Sequence, residues 1–463
     1  MSRTFAGCAL LIALGTGSLA AQAPDPVGMT VDSIARDVLR QTGVPSASVA
    51  VVRDGKVVYT QAYGDARIDG HVPATTAMRY SIGSISKQFC AGAILLLQQD
   101  GKLSLDDPVA KYLPDLTRAN DVTIRQLLSH TSGYEDYWPQ DYVMPMMLDS
   151  VHAQDIVNRW AKKPLNFDPG TRWQYSNTNY VIAGMIVEKV SGMPFFEFLR
   201  SRILTPLGIE SVKNIDMGRL PDSDPTGYLR YALGPSRPAP KEGKGWLFAA
   251  GELAMTPADL AKWDIAMIDQ SLLAPASYRA METEVVLKNG VGSHYGLGVE
   301  VGDQGGHRMI EHSGEVSGFT AENLVFPDDR VAVVVLTNED AAAAAGGIGR
   351  RVADRLLSQS DPSAHAHEAE ARQIFEGLQK GTIDRSLFTF DANSYFTAQA
   401  LADFSASLGP LGTPTAFTQV YTELRGGMVL RVYQVRFAQG PGVRAWTFEM
   451  PDGKLEQYQV AGN

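Results

Sequence analysis

Ser84 and Lys87 are the residues whose types and spacing most directly suggest chemistry. They open the stretch Ser84-Ile85-Ser86-Lys87, and no other lysine in the chain has a Ser or Thr three positions before it. Three residues are nearly one helical turn, so both side chains would share a face. A serine hydroxyl is a weak nucleophile and needs a base within hydrogen-bond reach. A lysine can be that base once burial has disfavoured its ammonium. A helix start adds backbone N–H groups and positive dipole, both suited to a developing oxyanion. The plain alternative is an N-capping serine followed by a solvated lysine.

Two further constellations lie downstream. Tyr175-Ser176-Asn177 holds the only Tyr-x-Asn in the chain, and His312-Ser313-Gly314 ends a strand-like run. A phenol beside a lysine ammonium is biased towards phenolate and can shuttle protons. The Asn177 amide can bond both the lysine and a substrate carbonyl. Equally, Tyr175 could be packing and Asn177 a helix cap. At the third site, Gly314 lets backbone approach closely, and a following N–H can complete an oxyanion hole. His312 would supply a polar, partly cationic group. A strand terminus with a Gly bulge is the structural alternative.

The elements that must position these residues are legible as patterns. Val31 to Gln41 reads as an amphipathic helix, and Ser46 to Arg53 and Val57 to Tyr63 as strands joined at Asp54-Gly55. Phe89, Ala93, Ile94 and Leu97 give the Ser84 helix its buried face. Thr123 to Leu128 reads as a short helix. Another follows Tyr175 to about Val190, and Pro257 to Ile268 is capped by Thr256. The aromatic and Met-rich stretch 134–150 is either a lid or an irregular packed loop, and 221–245 a surface loop. His307 to His312, Gly318 to Phe326 and Arg330 to Thr337 are strand-like, and Ala341 to Leu357 helical. Residues 358–369 read as a linker. His365 and His367 within it make no convincing metal site. From 370 to 463, two helical segments precede four strand-like runs, a small α+β domain.

Composition bounds the rest. The chain has 463 residues, 44% hydrophobic and 20% charged, with a net charge of -10. That is a soluble globular protein of two or three domains, and the acidic balance argues against nucleic acid. Residues 1–23 read as a secretory signal, with cleavage near Ala20 or Ala23, so a periplasmic or secreted protein without a membrane anchor after processing is expected. Removal of Cys8 with the signal would leave Cys90 alone, unable to form an internal disulfide.

Taken in order, Ser84-x-x-Lys87, Tyr175-x-Asn177 and His312-Ser313-Gly314 resemble the serine hydrolases of the class C β-lactamase and penicillin-binding D,D-peptidase superfamily. Leu127-Leu128-Ser129-His130-Thr131-Ser132-Gly133, Phe167-Asp168-Pro169-Gly170, Pro206-Leu207-Gly208 and Ala249-Ala250-Gly251-Glu252-Leu253 look the same. The resemblance covers residues 30–357. It implies an α+β fold: an antiparallel sheet flanked by helices, a mainly helical lobe, and a site in the cleft between them. The hydrolase domain would be 24–357. The 370–463 domain resembles the nuclear-transport-factor-like cone by element order. The resemblance also implies a Ser84 acyl-enzyme, proton transfer by Lys87 and Tyr175, and an oxyanion hole from the N–H groups of Ser84 and Glu315. It implies no metal or cofactor. The expected partner is a small-molecule or peptide substrate, cleaved at an ester or amide bond. The alternatives are a class C-like β-lactamase and a non-catalytic penicillin-binding or sensor protein. β-Lactamases of this type usually carry Lys-Thr-Gly where this chain has His312-Ser313-Gly314, which is more like the peptidase and esterase branches.

Overall fold

The computed structural model describes residues 26–360 and 364–462. The signal-like residues 1–23 lie outside them. Helix α1 spans Pro26–Thr42. It is followed by β1 (Ser46–Arg53), β2 (Lys56–Arg67) and the short β3 (Val72–Pro73). The β1–β2 turn is made as expected by Asp54 and Gly55, both at positive φ (52° and 71°), the conformation a tight hairpin requires. Next come α2 (Ser86–Gln99), α3 (Asn177–Ser191) and α4 (Pro257–Asp269). The strands β4 (Glu300–Gln304), β5 (His307–Val316), β6 (Phe319–Phe326) and β7 (Val331–Thr337) complete one seven-stranded sheet. Its order is β3-β2-β1-β7-β6-β5-β4, with antiparallel pairing throughout. The N-terminal hairpin thus joins strands β4 to β7, which lie more than 200 residues on, with Ala47 opposite Thr337.

Each face of the sheet buries a separate core. On one side α1 and α5 (Ala344–Ser360) cover Val49, Val51, Leu324, Val333 and Val335. On the other, Ala50, Val52, Val334 and Leu336 join the α2, α3 and α4 side chains. This is why β1 and β7 read as continuous apolar runs rather than alternations. Helix caps fall where the residue types place them. Thr123 and Gln126 form a capping box on the helix Ile124–Leu128, Thr256 Oγ1 accepts from Asp259 N–H, and Gly192 closes α3 at φ 73°.

Helix α5 runs to Ser360 and α6 spans Ala364–Leu378, so the described residues at both ends of the expected linker 358–369 are helical. Beyond them, α7 (Ala398–Leu408) and the sheet β8 (Pro414–Arg425), β9 (Met428–Phe437), β10 (Val443–Glu449) and β11 (Leu455–Gly462) enclose their own core around Phe375, Phe417, Tyr433 and Tyr458. Among the described residues, no helix is long and apolar enough to cross a membrane.

One buried polar chain ties the helical lobe to the sheet. Trp263 Nε1 donates to Gln88 Oε1 (2.7 Å), Gln88 Nε2 to Asn323 Oδ1 (3.1 Å), and Asn323 Nδ2 to Asp264 Oδ1 (2.8 Å). Burial raises the Asp264 carboxyl to about 8. Its folded-state pKa therefore exceeds its unfolded value. The stabilisation is complete below about pH 4 and is lost as pH rises towards 8. Asp264→Asn is accordingly expected to gain about 2–5 kcal/mol of relative stability over wild type between pH 4 and pH 8. Urea unfolding at both pH values measures it. A difference between the two proteins that stays constant with pH would mean that Asp264 is ionised in the fold.

Candidate active site

Ser84 sits on the single turn Gly83–Ile85, immediately before α2 begins at Ser86. It caps neither element: their N-caps are Ile82 and Ile85. Its side chain is partly exposed, whereas every residue from Ile85 to Leu97 is buried. Lys87, one turn on, is fully enclosed at 0% exposure. The solvated-lysine alternative is thereby excluded.

Lys87 Nζ has three partners: Ser84 Oγ at 2.8 Å, Asn177 Oδ1 at 2.8 Å and the Ala250 carbonyl at 2.9 Å. Burial lowers its pKa to about 7, against the opposing pull of Asp136. The partner count suits the neutral amine. A neutral amine has two N–H bonds and one lone pair. Two carbonyl oxygens, which only accept, take the N–H bonds. The lone pair then faces the one partner that can donate, the Ser84 hydroxyl.

Tyr175 closes the triangle from far along the chain. Its hydroxyl lies beside the Ser84 side chain, and Lys87 Nζ lies 5.0 Å from its ring centroid. The expected bias towards phenolate is not present. Burial pushes the phenol well above its ordinary value, and a lysine whose own pKa is lowered to about 7 carries only about half its charge there to compensate. Tyr175 is therefore a neutral hydroxyl, able to donate and accept in one place.

Asn177 is the first residue of α3, whose N-cap is Ser176, so it does not cap. Its orientation is set by Asp136. Asp136 Oδ1 accepts from Asn177 N–H (2.9 Å) and Trp138 N–H (3.2 Å), and Oδ2 accepts from Asn177 Nδ2 (3.2 Å). With the amide nitrogen drawn to the carboxylate, Oδ1 must face Lys87. Burial raises Asp136 to about 6, opposed by these N–H donors and by Lys87. Asp136 lies in the stretch 134–150, which has no periodicity, so no sequence signal marked it.

His130 packs behind Tyr175, with ring centroids 4.2 Å apart. Its Nδ1 accepts from Ser176 N–H at 3.1 Å, and burial holds it neutral. The signature Ser129-His130-Thr131 thus acts on the tyrosine motif, clamping the segment on both sides of the phenol.

At the third motif, His312 Nδ1–H donates to the Ser313 carbonyl (2.5 Å), and Nε2 accepts from the Tyr295 hydroxyl (2.8 Å). Burial, reinforced by Lys87, lowers His312 to about 3. The partly cationic group expected here is therefore a neutral imidazole. Tyr295, buried beside His130 and His312, had no sequence signal. Ser313 and Glu315 are exposed, alternating with buried His312, Gly314 and Val316. Gly314 is required by packing: a Cβ there would collide with the Ile82 carbonyl and lie 3.3 Å from Ser84 N. A Cβ on Gly83 would lie 2.6 Å from Glu315 N. The backbone nitrogens of Ser84 and Glu315 thus come from touching segments, beside the Ser84 hydroxyl.

Every residue singled out in the sequence, Ser84, Lys87, Tyr175, Asn177, His312, Ser313, Gly314 and Glu315, lies in or along this cleft. The arrangement places a nucleophile, a neutral amine, a neutral phenol and two backbone donors around one small volume. That set can carry acyl transfer.

Comparison with known proteins agrees. A family model described as "Beta-lactamase" matches residues 31–357. A penicillin-binding protein of Bacillus subtilis (strain 168) is 26% identical over 403 residues, 84% of this chain and 86% of that protein. A D-aminopeptidase of Brucella anthropi is 28% identical over 326 residues, 68% of this chain and 60% of its own length. Among solved structures, D-amino acid amidase from Ochrobactrum anthropi SV3 complexed with D-phenylalanine superposes with a TM-score of 0.64 at 27% identity, over 72% of this chain and 100% of that one. The octameric penicillin-binding protein homologue from Pyrococcus abyssi shares the fold over 94% of this chain and 100% of its own, with a TM-score of 0.63 at 23% identity.

Proposed function

The chain belongs to the beta-lactamase family of serine hydrolases, and on that premise we propose that it cleaves an amide or ester bond of a D-amino-acid derivative through an acyl-enzyme on Ser84. The observation that carries this reading is the pair Ser84 Oγ and Lys87 Nζ, 2.8 Å apart, with the amine at about 7. Substrate class is drawn from the relatives, whose names include a D-aminopeptidase and a D-amino acid amidase.

The steps follow from the proton inventory. Ser84 Oγ attacks the carbonyl carbon while its proton passes to the Lys87 lone pair. The carbonyl oxygen becomes an oxyanion facing the N–H groups of Ser84 and Glu315. Collapse breaks the bond to the leaving group, which takes a proton from the Tyr175 hydroxyl, and the Lys87 ammonium restores that proton. Water then attacks the ester under the same pair acting as base, and Ser84 Oγ departs with the returned proton.

The neutral His312 separates this site from an efficient β-lactamase. A β-lactam carboxylate needs a cation, and an imidazole at about 3 offers none near pH 7. D-alanine p-nitroanilide is expected to turn over at least about 100-fold faster than nitrocefin, and faster than its L enantiomer; two pockets differing by one good polar contact discriminate on that scale. Fast multiple turnover of nitrocefin, or a preference for the L enantiomer, would contradict this substrate assignment.

A further inference from the structure

Aromatic rings cluster beside the reacting hydroxyls. Trp173, Tyr175, His312 and Tyr295 close a circuit in which each ring centroid lies 5.9 to 6.4 Å from the next. His130 packs against three of them, 4.2 Å from Tyr175, 4.8 Å from Tyr295 and 6.1 Å from Trp173. Most members already have a task. Tyr175 moves a proton, Tyr295 donates to His312 (2.8 Å), and His130 accepts from Ser176 N–H (3.1 Å). Trp173 has no such task, and it is the most open member. It is 40% exposed, against 0% for His130, 1% for Tyr295 and 2% for His312.

A single exposed apolar side chain is ordinary elsewhere on a protein surface. This one is held beside the proton donor. Residues 172–176 form neither helix nor strand, and α3 begins only at Asn177. The segment is pinned twice to His130: Gln174 N–H donates to its carbonyl (3.0 Å) and Ser176 N–H to its Nδ1 (3.1 Å). Residues two apart in an extended segment project to the same side. Trp173 accordingly stands next to Tyr175, with ring centroids 6.4 Å apart at 60°.

The direction follows from the chemistry. The leaving atom takes its proton from the Tyr175 hydroxyl, so it must come within about 3 Å of that oxygen. The carbonyl oxygen is drawn the other way, to the N–H groups of Ser84 and Glu315. The leaving group then extends from Tyr175 along the ring cluster, where the open surface it meets is the Trp173 indole. A methyl group beyond the leaving atom is too short to cover that indole. A benzyl group is one ring in size, and can stack on it or meet it edge to face.

Resting on the acyl-enzyme reading above, we infer that Trp173 is a specificity-determining residue for the leaving group, favouring amides and esters whose leaving group carries an aromatic or similarly large apolar body. The test compares the benzyl and methyl esters of D-alanine on the whole chain. Both form the same acyl-enzyme and release alkoxides of similar basicity, so the ratio of their kcat/KM values reads the leaving-group contact. The benzyl ester is expected to lead by at least about tenfold in wild type, the scale of one aromatic contact with its burial. That ratio should fall to about two or less in Trp173→Ala and stay above about five in Trp173→Phe, which keeps a ring. Damage to the fold would lower both esters together and leave the ratio standing. A ratio near one in wild type overturns the inference, and so does a wild-type ratio that survives in Trp173→Ala. Failure to cleave either ester while fluorophosphonate still labels Ser84 removes the D-amino-acid substrate and this inference with it. Absence of that labelling strikes the acyl-enzyme reading itself.

Discussion

Ser84→Ala is expected to lower ester and amide turnover by about 10^4–10^6-fold and to abolish covalent labelling by fluorophosphonate, with little change in folding stability. The size follows from the role: removing the nucleophile of a concerted set costs about as much as removing the whole set. The stability expectation follows from the surroundings. Ser84 is partly exposed, lies on a single turn and caps no helix. The variant withdraws one of three partners from Lys87 but leaves Asn177 Oδ1 and the Ala250 carbonyl in place. Thermal unfolding together with p-nitrophenyl ester hydrolysis checks both halves. Activity within tenfold of wild type would remove Ser84 from the mechanism.

Lys87 carries the second large effect, and it has a pH signature. As the base it must be unprotonated, so kcat/KM is expected to fall below an apparent pKa of about 7. Lys87→Met should lose about 10^3–10^5-fold in kcat/KM, a general base plus its share in protonating the leaving group. Stability should move in a linked way. The folded pKa lies below the unfolded value of 10.5, so the unfolded chain binds the extra proton between about pH 7 and that value. Wild-type stability from this group therefore rises with pH across that window, and the rise should be missing in Lys87→Met. Asp136→Asn gives an independent check. Asp136 pulls the Lys87 pKa upward. Its neutral replacement should shift the acid limb to lower pH, by an amount that titrating kcat/KM from pH 5 to 9 would read. An acid limb unmoved in Asp136→Asn and centred well away from 7 would detach that limb from Lys87.

The site was largely legible because its motifs are local. Ser84 and Lys87 share a face by helical spacing alone, Tyr175 and Asn177 straddle a helix start, and Gly314 marks a close backbone approach. The hairpin at Asp54-Gly55 and the cap at Thr256 were equally readable, since each depends on a few adjacent residues. The misreadings share a cause as well. The phenolate bias of Tyr175 and the partial charge of His312 were argued from neighbouring charge alone. In the fold, burial dominates both groups, and burial is a property of everything packed around a residue.

Residue identity and order by themselves determined that a serine, a lysine, a tyrosine and a strand-edge glycine were available in the pattern of an acyl-transfer enzyme, and which elements would carry them. Only the tertiary structure decided their protonation and aim. Asp136 turns the Asn177 amide, His130 clamps the Tyr175 segment, and Tyr295 holds His312 as a neutral acceptor. Each of these partners is separated from the residue it governs by 17 or more positions. The physical reason is that hydrogen bonds and desolvation act over a few ångströms of space, and chain neighbours supply only a small part of what lies within that distance of a buried group.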